Sequence, residues 1–142
     1  MREKVLLCRP GMGEITDTVM AAIVRSGIRE GVCVITVLDD KAAVVMTNRE
    51  KADIRQDIMD DLDRMVPARV NRRGWTAGEM EEGAEEVIKA ALSAAARTKA
   101  AVTGGSLDVI IHEGMPLLAP DQGIFAVDYR GGEEVELAIL CG

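Results

Sequence analysis

The stretch GGSLDVIIHEGMPLLAPDQGIFAVDYRGGEEVELAILCG, residues 104–142, decides the fold. Its apolar runs are short, rich in β-branched residues and broken by glycine-bearing turns, the pattern of three strands. A strand-rich end that follows helical segments predicts an α+β fold whose mixed sheet is largely antiparallel. The turns carry Asp121, Gln122, Glu133 and Glu134, so the same stretch raises the question of whether its polar residues do chemistry or only turn the chain.

Working upstream, Met80, Ala84, Val87, Ala91, Ala95 and Val102 line one face of a long helix running from Gly78, with acids early and Lys89, Arg97 and Lys99 late, as the helix dipole favours. Gly104 and Gly105 close it. Residues 67–77, PARVNRRGWTA, form a basic loop. Ile54, Ile58, Leu62 and Met65 recur at helical spacing and stop before Pro67, which predicts a helix over residues 51–66. Val32 to Leu38, VCVITVL, is almost wholly apolar, as in a strand covered on both faces, and Ala42 to Met46 reads as its antiparallel neighbour across the Asp39-Asp40-Lys41 turn. Ile15, Val19, Ile23 and Ile28 mark a first helix, begun near Thr16 and stopped by Gly27. Val5 to Leu7 open a short strand.

With 142 residues and no linker, repeat or low-complexity tail, residues 1–142 read as a single domain. Cys8, Cys33 and Cys141 are odd in number and widely spaced, which suits reduced core thiols of a cytoplasmic protein. The first apolar run is too short for a signal peptide or a membrane span, so no membrane partner is expected. A net charge of −7, with one Trp, one Tyr and one Phe, argues against nucleic acid, which calls for clustered cations or an aromatic platform. No His pair, Cys pair or His-x-x-x-His spacing exists, so neither metal nor cofactor is expected; His112 stands alone in a strand pattern.

The order GEITDTV…SGIREGVCVITV, IRQDIMDDLDRMVP, GGSLDVIIHEGMPLLAPDQGIF and a terminal RGG…LAILCG resembles the YjbQ family, known also as secondary thiamine-phosphate synthase, over nearly the whole chain. Its most specific parts are the Ile15-Thr16-Asp17 helix start, the Asp-rich helix ending in Val66-Pro67, and the G-x-S strand leading to Gln122-Gly123-Ile124. The resemblance implies an α+β homotrimer with a pocket at the subunit boundary, built around histidines. Here those positions differ. The family's H-T-[ST]-A motif falls on Asp39 to Ala42, and its Asn-Glu pair near Thr47 and Asn48, with Glu50 the nearest acid. The histidine beyond the Val-Pro falls near Arg73, and that of the A-H-[IL]-K helix on Arg97. The tryptophan of W-Q-G-I becomes Asp121, and the terminal basic pair becomes Glu133 and Glu134; Gln122 keeps its place.

Guanidinium stays protonated and offers donors only, so Arg73 and Arg97 hold anions but neither ligate a metal nor act as bases. Two readings follow. In the first, favoured because lost ligands are most simply explained by lost catalysis, the chain is a binding or structural homotrimer. In the second it is an enzyme acting on a small phosphorylated or anionic metabolite, thiamine-phosphate synthase-like, with Arg73, Arg97 and Gln122 binding the ligand and Asp39 or Asp40 moving the proton. In the first reading Arg73 or Arg97 instead approaches Asp39, Asp121, Glu133 or Glu134, across a subunit boundary or within one chain, and these turns are structural electrostatics. The alternative for Asp39 and Asp40 is a plain solvated turn, and for Arg69, Arg72 and Arg73 a solvated patch or subunit salt bridge.

Overall fold

The computed structural model describes residues 2–7, 11–69, 83–130 and 133–142, and side chains are described for these except residues 3–7 and 133. Arg72, Arg73 and Trp75 lie outside the described residues. The elements are β1 (Arg2–Leu7), β2 (Gly11–Glu14), α1 (Thr16–Ser26), β3 (Gly31–Val37), β4 (Ala42–Asn48), α2 (Ala52–Met65), α3 (Ala84–Thr103), β5 (Ser106–His112), β6 (Met115–Pro116), β7 (Gln122–Asp128) and β8 (Glu133–Cys141). All strand pairs are antiparallel, in one sheet of order β1-β8-β3-β5-β6 and a second of order β2-β7-β4. The expected α+β fold stands, with two sheets in place of one.

The two sheets face each other. Ile35 and Val37 of β3, Val109 and Ile111 of β5, and Val135, Leu137 and Ile139 of β8 meet Val44 of β4 and Ile124 and Ala126 of β7 between them. Helix α1 adds Val19 and Ile23 to this core, and its stop is the expected one, Gly27 at φ 72°. The outer face of the smaller sheet packs Ala43, Val127 and Tyr129 against Leu62 of α2 and Ala96 and Ala100 of α3.

Two expectations are corrected here. Residues 42–46 do not pair with residues 32–38: β3 lies between β8 and β5, whereas β4 pairs with β7 in the other sheet. At Leu38 the β3 backbone still bonds to Glu136, and the chain then crosses the core at the turn and joins the second sheet. Nor is β3 covered on both faces. Cys33, Ile35 and Val37 are buried, while Val32 is 43% exposed. The strand buried at every position after its first is β7, sandwiched between the larger sheet and the helices. An apolar run signals burial without naming the partner that supplies it.

Smaller differences have local causes. The C-terminal stretch forms four strands, because Met115 and Pro116 fold back on Ile111 and His112 through Glu113 and Gly114, both at positive φ. In α3, Val87, Ala91 and Ala95 are buried as expected, but Val102 is 60% exposed, because the last turn rolls its stripe toward Ala96 and Ala100. Gly78 and Met80 lie outside the described residues.

Candidate functional site

The sequence-derived residues divide between the two ends of the small sheet. At one end the chain leaves β3 and turns into β4. Asp39 is an Asx turn residue whose Oδ1 accepts the Lys41 N–H at 2.8 Å, and its Oδ2 accepts Arg130 Nη2. Arg130 stands at the end of β7, where its backbone N–H donates to Asp128 Oδ1 at 2.9 Å. Asp128 is fully buried, and its Oδ2 has no hydrogen-bond partner among the described residues. One guanidinium thus serves two carboxylates, Asp39 directly and Asp128 at 3.9 Å from Nε.

Asp40 points to solvent and takes Arg97 Nε at 3.1 Å and Lys41 Nζ at 3.3 Å. The Lys41 hydrogen bond, with the charges of Lys41 and Arg97, holds its carboxyl below the ordinary aspartate value. Arg97 therefore meets Asp40, which is not among the expected partners Asp39, Asp121, Glu133 and Glu134. Glu134 is exposed at the start of β8, and the side chain of Glu133 is outside the description.

Beside this cluster a groove of about 780 Å³ opens between α2, α3 and the end of β7. Lys41, Lys89, Lys99 and Arg130 line it, with Asp63 the one acid among its lining residues and Tyr129 at its floor. Lys99 Nζ bonds Asp63 and lies 5.9 Å from the Tyr129 ring centroid, while the Tyr129 hydroxyl donates to Thr103 Oγ1 at 3.0 Å. Burial pushes the Tyr129 hydroxyl above its ordinary pKa, so it remains a neutral donor. Arg97, Lys89 and Ser93 flank a shallower depression of about 340 Å³ on the outer side of α3.

Gln122 is elsewhere. β4 and β7 run side by side from Ala42 opposite Asp128 to Asn48 opposite Gln122, so within one chain Gln122 lies about 20 Å from Asp39. Its Oε1 accepts the Ala119 N–H at 2.9 Å, closing the turn that includes Asp121, which is exposed and gives its carbonyl to Arg49 N–H. The neighbouring contacts are structural. Thr16 Oγ1 donates to Glu14 Oε2 at 2.7 Å and accepts the Ile124 N–H at 2.9 Å, Ile15 N–H donates to Ile124 O at 2.8 Å, and Arg49 pairs with Glu14 at 2.8 Å. Gly123 is needed for space, since a Cβ there stands 2.8 Å from Glu14 Oε2 and 3.1 Å from Arg49 Cβ. The Ile-Thr-Asp and Gln-Gly-Ile pieces are two halves of one knot.

Sequence reasoning passed over Lys41, Asp128, Tyr129 and Arg130 as site residues. The period of two from Ile124 through Ala126 to Asp128 was the available signal, because it sends an acid to the face of two core residues. Among the described residues no three His, Cys, Asp or Glu side chains are grouped to hold a metal ion. His112 pairs with Glu30 instead, Nδ1 to Oε2 at 3.1 Å, and Glu30 Oε1 also accepts the Glu113 N–H at 3.1 Å.

That pair gives a clean pH observable, because His112 is the only histidine. The hydrogen bond and charge of Glu30 raise His112 above 6.5, and the Glu113 N–H with His112 lowers Glu30 below 4.5. A raised histidine stabilises fully below its unfolded pKa and loses that contribution as pH rises through the folded value; a lowered glutamate loses its contribution as pH falls through its folded value. The coupling is therefore largest in the window between the two folded values. In an NMR titration Glu30→Gln is expected to bring the His112 midpoint down, and an unchanged midpoint would refute the pairing.

Comparison with known proteins completes the picture. The family model described as UPF0047 protein YjbQ-like matches residues 7–140. UPF0047 protein MJ1081 of Methanocaldococcus jannaschii is 26% identical over 131 residues, covering 92% of this chain and 84% of that protein. Among solved structures, an uncharacterised YjbQ/UPF0047 protein of Clostridium acetobutylicum superposes with a TM-score of 0.83 at 20% identity, covering 100% of this chain and 99% of that one. A YbjQ-like protein of unknown function from Sulfolobus solfataricus gives 0.75 at 22%, covering 100% and 95%. The family match takes in the knot at Thr16 and Ile124 and the altered turn at Asp39 alike, and the chain belongs to the UPF0047, YjbQ-like family.

Proposed function

We propose that the protein is a binding module of this family that works without metal or histidine chemistry and receives a small anionic or phosphorylated metabolite in the groove between α2 and α3. The observation that carries this reading is the lining: Lys41, Lys89, Lys99 and Arg130 converge on one groove of a chain whose net charge is −7. Concentrating cations in a concave, half-apolar site raises the local concentration of an anion, and ammonium and guanidinium donors suit phosphate oxygens. The proton-transfer role of Asp39 and Asp40 finds less support. Both are engaged by cations, and Asp40 is held ionised by Lys41 and Arg97, which suits charge balance better than a base near neutrality.

Calorimetry and NMR with inorganic phosphate and pyrophosphate test the reading. Lys89 is exposed on α3, so Lys89→Glu leaves the fold intact and is expected to weaken anion binding about tenfold through reversed charge. Equal binding by the variant, or shifts confined to residues away from Lys41, Lys99 and Tyr129, would refute it.

The same proposal includes self-association as a homotrimer. Its support is the uncovered face of the larger sheet, where Val32 sits opposite Ile110 and Leu140 opposite Val34, with Val32, Ile110 and Leu140 at 43%, 58% and 72% exposure. Adjacent exposed apolar side chains on a sheet face are the mark of a buried contact in an assembly. Light scattering is expected to give a trimer mass for the native chain and a smaller mass for Leu140→Asp. A native monomer at micromolar concentration would end this part of the proposal.

A further inference from the structure

The larger sheet holds a second chemistry, remote from the groove. Cys33 of β3 and Cys141 of β8 are register partners, and their Sγ atoms lie 3.3 Å apart. Val32 and Gly142 exchange both backbone hydrogen bonds at 2.9 Å, so the next pair along, Cys33 and Cys141, is a non-hydrogen-bonded pair. Such pairs bring Cα atoms to about 4.5 Å, at the near end of the range a disulfide spans. The two thiols differ in access. Cys33 is fully buried, whereas Cys141 is partly exposed and borders a shallow cavity of about 270 Å³ between α1 and β8, lined also by Ala22, Arg25, Ser26 and Leu140.

We propose that Cys33 and Cys141 form an oxidisable cross-strand pair, in which Cys141 attacks a low-molecular-weight disulfide and Cys33 resolves the mixed disulfide to an internal one. In the first step the Cys141 thiolate attacks one sulfur of the external disulfide, forming a mixed disulfide and releasing one external thiolate, which takes up the proton Cys141 gave. In the second, the Cys33 thiolate attacks Cys141 Sγ, forming the Cys33–Cys141 bond and releasing the second external thiolate, which takes the Cys33 proton. Two protein thiols are oxidised, one external disulfide is reduced to two thiols, and no net proton is consumed. Resolution is the slow step, because burial, which persists in the mixed disulfide, raises the Cys33 thiol above its ordinary value.

The test treats the full-length chain with oxidised glutathione, alkylates the remaining thiols and maps the peptides by mass. The expected product joins the peptides that carry Cys33 and Cys141 and leaves Cys8 alkylated, with the resolving step about tenfold faster for each unit rise in pH. Its unfolding midpoint should exceed that of the reduced chain, and reductant should reverse the difference. Cys33→Ser is expected to stop at a glutathione adduct on Cys141. The native chain alone decides the matter if that variant does not fold. A lasting Cys141 adduct in the native chain, a bond made through Cys8, or no reaction at Cys141 would each overturn the proposal.

Discussion

Thr16→Val is expected to lower the free energy of unfolding by about 3 kcal/mol, far more than the change of one hydroxyl to a methyl suggests. Thr16 is 2% exposed, and its hydroxyl has two partners, the Glu14 carboxylate and the Ile124 N–H. Valine keeps the shape and removes both. The Ile124 amide is then left buried without an acceptor, at a cost of about 1 to 3 kcal/mol, and Glu14 loses a donor, with hydrogen bonds to charged groups worth about 1.5 to 3 kcal/mol. The added methyl returns under about 1 kcal/mol of apolar burial. Thr16→Ser is the control: it keeps the hydroxyl, and its expected loss is about 1 kcal/mol. Urea unfolding of the three chains checks this, and a Thr16→Val loss no larger than that of Thr16→Ser would remove the knot from the account of stability.

That knot also shows what was legible in the sequence. The helix start near Thr16 is legible from periodicity, and Gln122 from turn chemistry, because both are local properties. The hydrogen bond joining Thr16 to Ile124 spans 108 positions, and no local pattern announces it. The same divide explains the sheet error. The apolar content of residues 32–38 and 42–46 correctly marked two strands, yet their pairing depends on whether the chain at Leu38 turns back or crosses the core, which four turn residues do not encode. At the site, the resemblance groups Asp39, Arg73, Arg97 and Gln122, whereas the structure joins Arg97 to the neighbouring Asp40 at 3.1 Å. Gln122 belongs to that group by the same route, but β4 and β7 hold it at the far end of the small sheet, where it closes a turn. The cations of the groove were each visible and each ordinary; only the packing of α2 and α3 over β7 makes Lys41, Lys89, Lys99 and Arg130 neighbours.

Arg130→Ala is the second large effect, at about 4 kcal/mol, because it strands acids that the fold has already taken from water. Asp128 is fully buried, the Asp39 side chain is 13% exposed, and Arg130 itself is 25% exposed, so solvent screens this cluster weakly. Removing the guanidinium leaves two carboxylates near each other, Asp39 with the Lys41 amide and Asp128 with the backbone amide of residue 130 as donors. Truncating one partner of a buried pair typically costs about 3 to 5 kcal/mol, mostly for the charge left behind. Adding Asp39→Asn to Arg130→Ala removes one stranded charge and is expected to return about 1 kcal/mol, a coupling that a double-mutant cycle reads directly. Arg97→Ala supplies the contrast. Its pair with Asp40 has side chains 51% and 66% exposed, and such solvent-screened surface pairs contribute little to stability. If Arg130→Ala proved as mild as Arg97→Ala in urea unfolding, the turn at Asp39 would owe nothing to charge pairing. If the large difference holds, Asp39 and Arg130 are a structural brace at the mouth of the groove. The basic lining of the groove would in that case be held in place by Asp39 and Asp128.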